Sequence, residues 1–127
     1  MSRKDLSVVK KYGISKARYR ELMYFCMQYR EMREKIEYGV HSVLSDGQPH
    51  GNSIGNPTEA QAIRNAQYIH NIRIIEESAK ESSPELWKYI LQSVTEGTAF
   101  EYMDVPCGRH QFYNARSKFF YRLSLKR

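Results

Sequence analysis

The chain has 127 residues, a formal net charge of +6, and a composition that is 41% hydrophobic and 13% aromatic. This length suits a single domain with one core, and the composition favours folding over disorder. No stretch approaches the roughly eighteen consecutive apolar residues of a membrane span. The N-terminal sequence MSRKDLSVVKK lacks the apolar segment of a signal peptide. The sequence therefore predicts a cytoplasmic protein with no membrane partner.

Charge is unevenly distributed along the chain. Residues 1–20 carry seven basic side chains and one acid, and residues 105–127 carry six basic side chains and no acid. The middle, residues 21–104, carries seven basic and thirteen acidic side chains. Because phosphate contact needs positive charge concentrated on the touching surface, basic ends on an acidic body favour a nucleic-acid partner. The alternative is that these runs are only solvated faces.

Residues 1–81 are predicted to form a helical platform. A short helix over Asp5–Lys11 stops at Gly13, and Ser15 is a suitable N-cap for the helix that follows. From Lys16 to about Tyr38, apolar residues recur at steps of three and four, which indicates one amphipathic helix of about six turns. Additional tyrosine, phenylalanine and methionine residues widen its apolar face. A core packed from two sides would explain this width, and so would a subunit interface.

A glycine-rich segment separates this helix from a second long helix. Residues 39–56 contain four glycines and one proline, as in a flexible connector, and include His41 and His50. The sequence Asn56-Pro57-Thr58-Glu59 is a helix start signal, and the helix is predicted to run to about Lys80. Its apolar stripe comprises Ile63, Ala66, Ile69, Ile72, Ile75 and Ala79. The two long helices are expected to pack as an antiparallel hairpin.

Residues 82–127 are predicted to form a three-helix unit of the helix-turn-helix type. Ser83 and Pro84 open a helix over 85–95, and Gly97 ends it. A short helix over 98–103 and a Pro-Cys-Gly turn precede the last helix, residues 108–124. The residues expected to face inward in the first of these helices are Leu86, Tyr89, Ile90 and Val94, with Trp87 as the largest anchor.

The last helix divides by face at about a hundred degrees per residue. The apolar stripe comprises Phe112, Ala115, Phe119 and Leu123, with Arg116 and Phe120 at its margins. The opposite surface comprises His110, Asn114, Ser117 and Tyr121, flanked by Arg109, Tyr113 and Lys118. A helix that is apolar on one side, and cationic and hydrogen-bonding on the other, suits the DNA major groove. The alternative is an ordinary terminal helix with a solvated basic face.

The sequence shows no enzymatic or metal-binding motif. The Gly-x-Ser-x-Gly, P-loop, HExxH and CxxC patterns are all absent, so no catalytic activity and no cofactor are predicted. A nuclease that holds magnesium with scattered carboxylates is the remaining enzymatic alternative. Cys107 and His110 have ligand spacing but no further partner, which favours a turn cysteine beside a groove-facing histidine over a metal site. Cys26 and Cys107 are expected to be reduced and partly buried.

The C-terminal sequence YILQSVTEG-TAFEYMDVPCGRHQFYNARSKFFYRL, together with the preceding helical layout, resembles the ArpU/RinA-type regulators of Firmicutes phages and integrated mobile elements. The likeness is most tangible over Leu86 to Leu123. It implies a helix-turn-helix similar to region 4 of sigma factors, and a sequence-specific DNA-binding regulator of phage or element genes. It also implies base reading by Arg109, His110, Tyr113 and Asn114. The Pro106-Cys107-Gly108 turn departs from the Ser/Thr-rich turn that often opens this helix in the family.

The predicted protein is therefore all-α, with a hairpin platform over 1–81 and a DNA-binding unit over 82–127. Base edges would be read by Arg109, His110 and Asn114. Phosphates would be held by Tyr113, Ser117, Lys118, Arg122, Lys126 and Arg127, with Lys10, Lys11, Lys16 and Arg18 as a second backbone contact. This requires that the outer side of the last helix is exposed and that the final basic residues are not paired with the acidic midsection.

Candidate partners are double-stranded DNA, a second copy bound through the hairpin, and RNA polymerase. Two other functions compete with regulation. One is a helical adaptor whose exposed tyrosine and methionine residues bind another protein. The other is a small-terminase-like subunit for DNA packaging, which also joins a helix-turn-helix to an oligomerising hairpin.

Overall fold

A computed structural model describes residues 3–36 and 59–127, and these residues form helices without any strand. The helices are α1 (Arg3–Tyr12), α2 (Lys16–Met27), α3 (29–36), α4 (Glu59–Ser82), α5 (Trp87–Glu96) and α6 (Arg109–Lys126), with a 3₁₀ turn at Phe100–Tyr102. The predicted all-α class is confirmed. The connector over 39–56, its two histidines and the Asn56-Pro57 start signal lie outside the described residues.

The start of α2 and its end have different local causes. The Ser15 hydroxyl accepts a hydrogen bond from the Arg18 amide at 3.1 Å, which satisfies one of the unpaired donors in the first turn. The predicted six-turn helix is nevertheless interrupted at Gln28. There the backbone N–H of Gln28 bonds to the Phe25 carbonyl, three residues back, at 3.2 Å. The single predicted helix is therefore two helices, α2 and α3, over the described residues.

The helix α3 runs antiparallel to the middle of α4. The Tyr29 hydroxyl donates a 2.7 Å hydrogen bond to the Glu76 carboxylate, and the Asn71 amide lies 3.7 Å from the Met32 sulfur. Because a later residue of α3 meets an earlier residue of α4, the two helices point in opposite directions. A single polar pair contributes only about 1 kcal/mol to stability. The contact between α3 and α4 therefore also depends on apolar burial, and both Tyr29 and Met32 are buried.

The predicted apolar stripe of α4 is buried only in its second half. Ile75 and Ala79 are fully buried, whereas Ile63 and Ile69 are 55% and 44% exposed. The buried residues of α4 are Ile74, Ile75, Ser78, Ala79 and Ser82. The burial pattern follows the neighbours: α5 and α6 pack against α4, and their residues cover its C-terminal part.

The helix α6 is the central element of the bundle, in contact with α1, α2, α4 and α5. Its aromatic side chains Phe112, Phe119 and Phe120 are fully buried. Phe120 meets Tyr19 of α2 edge-on, with ring centroids 4.9 Å apart. The core extends from Val8 to Leu123, so the two predicted segments, 1–81 and 82–127, share one core.

The segment from α5 to α6 differs from the prediction from its start, because residues 84–86 form a turn and α5 begins at Trp87 with Leu86 as its N-cap. The Ser83 hydroxyl accepts the Leu86 amide at 3.1 Å, and Gly97 ends α5 in a left-handed conformation with φ of 70°. Only the three residues of the 3₁₀ turn represent the short helix predicted over 98–103. Trp87, the predicted main anchor, is half-buried and lies beneath the Lys80 ammonium, 4.9 Å from the ring centroid. The connection over 97–108 is longer than the three- or four-residue turn of a compact helix-turn-helix.

Substitution of the two glycines that bound this connection should change stability in opposite directions. Gly97→Ala places a Cβ in a left-handed conformation, so the free energy of unfolding should fall by about 1 kcal/mol. Gly108 has φ of −72° and open space around it, and it is the N-cap of α6 without a capping side chain. Gly108→Ser should therefore raise the free energy of unfolding by about 0.5 kcal/mol. Urea unfolding measures the change in the free energy of unfolding for each variant. A change in the same direction for both variants would contradict the described backbone conformations.

The two cysteines should differ in reactivity. Cys26 is fully buried, and burial raises the pKa of its thiol to about 12, whereas Cys107 is half-buried. At about pH 8 a thiol reagent should label one cysteine of the native protein rapidly and the second only after unfolding. Cys107→Ser should remove the rapid phase, and rapid labelling of both thiols would contradict the burial of Cys26. Because the pKa of the Cys26 thiol is higher in the folded protein than in the unfolded chain, the protonated thiol contributes fully to the free energy of unfolding below about pH 9. That contribution is lost as the pH rises towards 12.

Candidate nucleic-acid interface

One strip of α6 faces outward along the first half of the helix. Its members are exposed and can donate or accept hydrogen bonds, and we call them the α6 strip: His110, Gln111, Asn114 and Lys118. They fall within about a hundred degrees of the helix circumference. The helix itself contains no acidic residue. The α6 strip is therefore a polar surface that carries positive charge only.

Gln111 was not among the predicted contacts. At about a hundred degrees per residue it falls beside Lys118 and opposite the buried Phe120. The helical periodicity of the sequence could have identified it. Its amide can donate and accept hydrogen bonds, as the Asn114 amide can.

Arg109 lies about a hundred degrees from His110 around the axis of α6, outside the α6 strip, and is held by the 3₁₀ turn. Its guanidinium forms an ion pair with Glu101 and lies 5.5 Å from the ring centroid of Phe100. Both charged side chains are more than half exposed, so the pair contributes at most about 1 kcal/mol. The pair nevertheless directs Arg109 towards the turn that precedes α6.

Two of the predicted contact residues belong to the packed side of α6. Ser117 is buried, and its hydroxyl donates to the Tyr113 carbonyl at 2.9 Å. The half-buried Tyr113 ring packs against Phe112, with centroids 5.3 Å apart, and against Phe100. The predictions that place Ser117 and Tyr113 on the outer surface of α6 are therefore wrong for Ser117, which is buried, and only partly met for Tyr113, which is half-buried. They assumed one covered side of α6, whereas several helices surround it.

The final basic residues tie α6 to the rest of the bundle. Lys126 forms a 2.9 Å ion pair with Glu81, at the end of α4. The Arg127 guanidinium is 3.7 Å from the Glu21 carboxylate and 4.0 Å from the ring centroid of Phe25. The requirement that these residues remain unpaired is not met, and their predicted phosphate contacts are corrected. Because α4 and α6 end side by side with negative partial charges, cations are favoured there.

Arg122 is only partly exposed, and its predicted phosphate contact stays a prediction. Its side chain is half-buried, and its Nε atom is buried with no hydrogen-bond partner among the described residues. A guanidinium that lies partly inside the bundle cannot present all of its donors to a phosphate. Within residues 105–127, Lys118 is thus the exposed cation for which the structure shows no ion pair in the described part of the chain.

The two basic ends of the chain meet through an aromatic contact. Tyr12, at the end of α1, stacks on Tyr121 of α6 with centroids 4.9 Å apart and planes inclined by 18°. Tyr121 is therefore covered, although it was predicted to face outward. The contact places the exposed Lys10 and Lys11 beside α6, and the Lys11 ammonium lies 5.5 Å from the Tyr12 ring centroid.

The other N-terminal cations contribute unequally. Lys16 is exposed at the start of α2. Arg18 is half-buried and donates to the Glu21 carboxylate at 2.7 Å, so its charge is partly neutralised. Of the N-terminal basic residues predicted to contact a DNA backbone, the exposed ones are the three lysines.

Arg116, which the sequence placed at the margin of the apolar stripe, is buried in the core. One terminal nitrogen donates to the Tyr19 hydroxyl at 3.2 Å, and the guanidinium lies 5.0 Å from the Phe120 ring centroid. Its Nε atom has no hydrogen-bond partner among the described residues. A buried cation without a carboxylate is costly, so Arg116 does not contribute charge to the surface.

The described residues contain neither a metal cluster nor a membrane span. No group of three or more His, Cys, Asp or Glu side chains comes together there, and the Cys107 thiol lies 3.5 Å from the Gly108 carbonyl. None of the described helices combines the length and apolarity that a bilayer crossing needs. No protein-family model matches the chain, and comparisons with curated proteins and with solved structures give no match.

Replacement of Arg116 tests its assignment to the core. Arg116→Met keeps a long apolar side chain and removes the unpaired charge, so the free energy of unfolding should be unchanged or up to about 2 kcal/mol higher. Tyr19→Phe removes the hydroxyl that accepts from Arg116 and should cost about 1–3 kcal/mol. The decrease in the free energy of unfolding caused by Tyr19→Phe should be smaller in a protein that already carries Arg116→Met. A loss above about 1 kcal/mol for Arg116→Met in urea unfolding would contradict the buried, uncompensated charge.

Proposed function

We propose that this protein binds double-stranded DNA by placing the α6 strip in the major groove, with Lys10 and Lys11 on an adjacent phosphate backbone. The observation that carries the proposal is the α6 strip itself: an exposed, acid-free helix surface beside the exposed lysines of α1. Gene regulation in a phage or mobile element, and contact with RNA polymerase, are proposed on the sequence resemblance alone.

The side chains of the α6 strip match the hydrogen-bonding groups of the major groove. Asparagine and glutamine amides pair with the N6 and N7 atoms of adenine in two parallel hydrogen bonds, and lysine donates to guanine. From His110 to Lys118 the helix rises about 12 Å, which spans three or four base pairs. We therefore assign base reading to His110, Gln111 and Asn114, and phosphate contact to Lys118 at the far end of the strip.

The ion pairs of α6 limit the electrostatic part of binding. With Lys126 and Arg127 engaged by carboxylates, the candidate phosphate contacts are Lys10, Lys11 and Lys118. About three neutralised phosphates correspond to a slope near −2.7 in a plot of log affinity against log salt. A protein that used every basic residue at its two ends would show a far steeper slope.

A second candidate function is protein binding by an adaptor. The strongly exposed large side chains of the described bundle include two tyrosines and a methionine: Tyr24 at 64%, Tyr102 at 83% and Met27 at 57%. Exposed aromatic and methionine side chains are typical of protein interfaces. DNA packaging is the remaining alternative, and a ring of eight or more subunits would indicate it. Affinity for DNA at low salt separates the adaptor from both nucleic-acid functions.

Selection from a random duplex pool, followed by fluorescence anisotropy on the selected duplex, tests the proposal. The unaltered protein should bind the pool at about 50 mM salt and enrich a short motif. Gln111→Ala combined with Asn114→Ala should weaken binding to the selected duplex by about 10-fold to 1000-fold and leave binding to random DNA nearly unchanged. Lys118→Ala should weaken binding to both and reduce the salt slope by about one.

The matched control is Lys88→Ala, which removes an exposed cation of α5. It should leave affinity and salt slope unchanged, as should Arg116→Met. Helix content by circular dichroism identifies any variant that fails to fold. Absence of binding at low salt would overturn the DNA proposal. An unchanged preference after the double substitution would overturn the assignment of base reading to the α6 strip.

A further inference from the structure

The side of α4 turned away from α3, α5 and α6 forms a continuous exposed face. Its members recur at steps of three and four, and we call them the α4 outer face: Ala62, Ala66, Ile69, Arg73, Glu77 and Lys80. This spacing is the one that brings side chains of paired helices together. The face has two small residues, one exposed isoleucine and alternating charges. It has no role in the proposed DNA contact.

The α4 outer face has a charge pattern that is complementary to a second copy of itself in the antiparallel orientation. Arg73 and Glu77 lie one turn apart, on either side of Ile75. In the described part of the chain neither takes part in an ion pair. A two-fold axis requires a surface whose positive and negative groups exchange places when it is reversed, and this pair meets that requirement.

We infer that two copies of this chain associate through their α4 outer faces as an antiparallel pair, with the two-fold axis level with Ile75. In this register Arg73 of each copy faces Glu77 of the other, so two equivalent ion pairs form. Ile69 of each copy lies near the methylene stem of Lys80 in the other, which shields its exposed surface. A second copy is the favoured occupant because the charge pattern is self-complementary rather than of one sign.

The size of the contact sets its expected strength. From Ile69 to Glu81 the helix rises about 18 Å, so the paired stretch is short compared with a typical stable dimer interface. We expect a dissociation constant on the order of 10 µM, with monomer and dimer in rapid exchange. Dimerisation does not depend on DNA binding, and either proposal can fail while the other holds.

Sedimentation velocity and light scattering on the full chain test the inference over concentrations up to about 200 µM. The unaltered protein should change from monomer to dimer with rising concentration. The association should be weaker at high salt. Arg73→Glu alone and Glu77→Arg alone should each weaken dimerisation about tenfold, because like charges then face each other at both pairs. Arg20→Glu, an equal charge change on α2, is the matched control and should leave the dimer unchanged.

A mixture of the two single variants gives the sharpest result. Each variant alone repels itself, whereas one copy of Arg73→Glu beside one copy of Glu77→Arg restores both ion pairs, one in its original polarity and one reversed. The mixture should therefore form a heterodimer about as strong as the original dimer, which also shows that both variants are folded. A protein that remains monomeric up to about 200 µM, assembles into larger rings, or forms no heterodimer in the mixture overturns the inference.

Discussion

Burial of α6 on several sides is the constraint on which the rest of the structure depends. Phe112, Phe119 and Phe120 each lose essentially all contact with solvent, and burial of side chains of this size contributes about 2–3 kcal/mol apiece. This burial determines which part of α6 remains outside, because a helix has only one circumference. Ser117 and Tyr121 become covered as α1 packs against one side. The α6 strip is the remainder, so the same packing that stabilises the fold defines the candidate interface.

Formal charge overstates the positive surface that a partner can reach. The segment 105–127 has six basic residues and no acid, yet these residues serve several purposes. Arg116 is in the core, Arg122 is half-buried, and Arg109, Lys126 and Arg127 are paired with carboxylates. The acidic middle of the chain thus neutralises part of its basic ends within the fold. The exposed cations of α1 and α6 are a small number of lysines, so the proposed DNA binding would rest more on base contacts than the net charge suggests.

Local signals in the sequence predicted local structure well. The Ser15 cap forms, the Ser83 hydroxyl accepts the Leu86 amide in the turn before α5, and Gly97 takes the left-handed conformation that ends α5. The predictions failed where the deciding contact joins distant residues. Arg116 donates to Tyr19, 97 positions away, and no helical periodicity contains that partner. The break at Gln28 was not predicted because the apolar pattern continues through it, and Gln111 was not predicted although the helical period places it beside Lys118. Faces of a helix can be computed from sequence, but which of them its neighbours cover depends on tertiary packing.

The roles proposed for the α6 strip and the α4 outer face would together meet one physical requirement of selective DNA binding. A reading surface of three or four base pairs recurs about once in every 60 to 260 base pairs of random sequence, so one copy cannot select a single site among many competitors. Two copies related by a two-fold axis double the length read and add their binding free energies on one duplex. A weak dimer suffices, because DNA that binds both copies raises their effective concentration. The small electrostatic term of each copy then becomes an advantage, since nonspecific binding stays weak while paired recognition gains from two sets of base contacts.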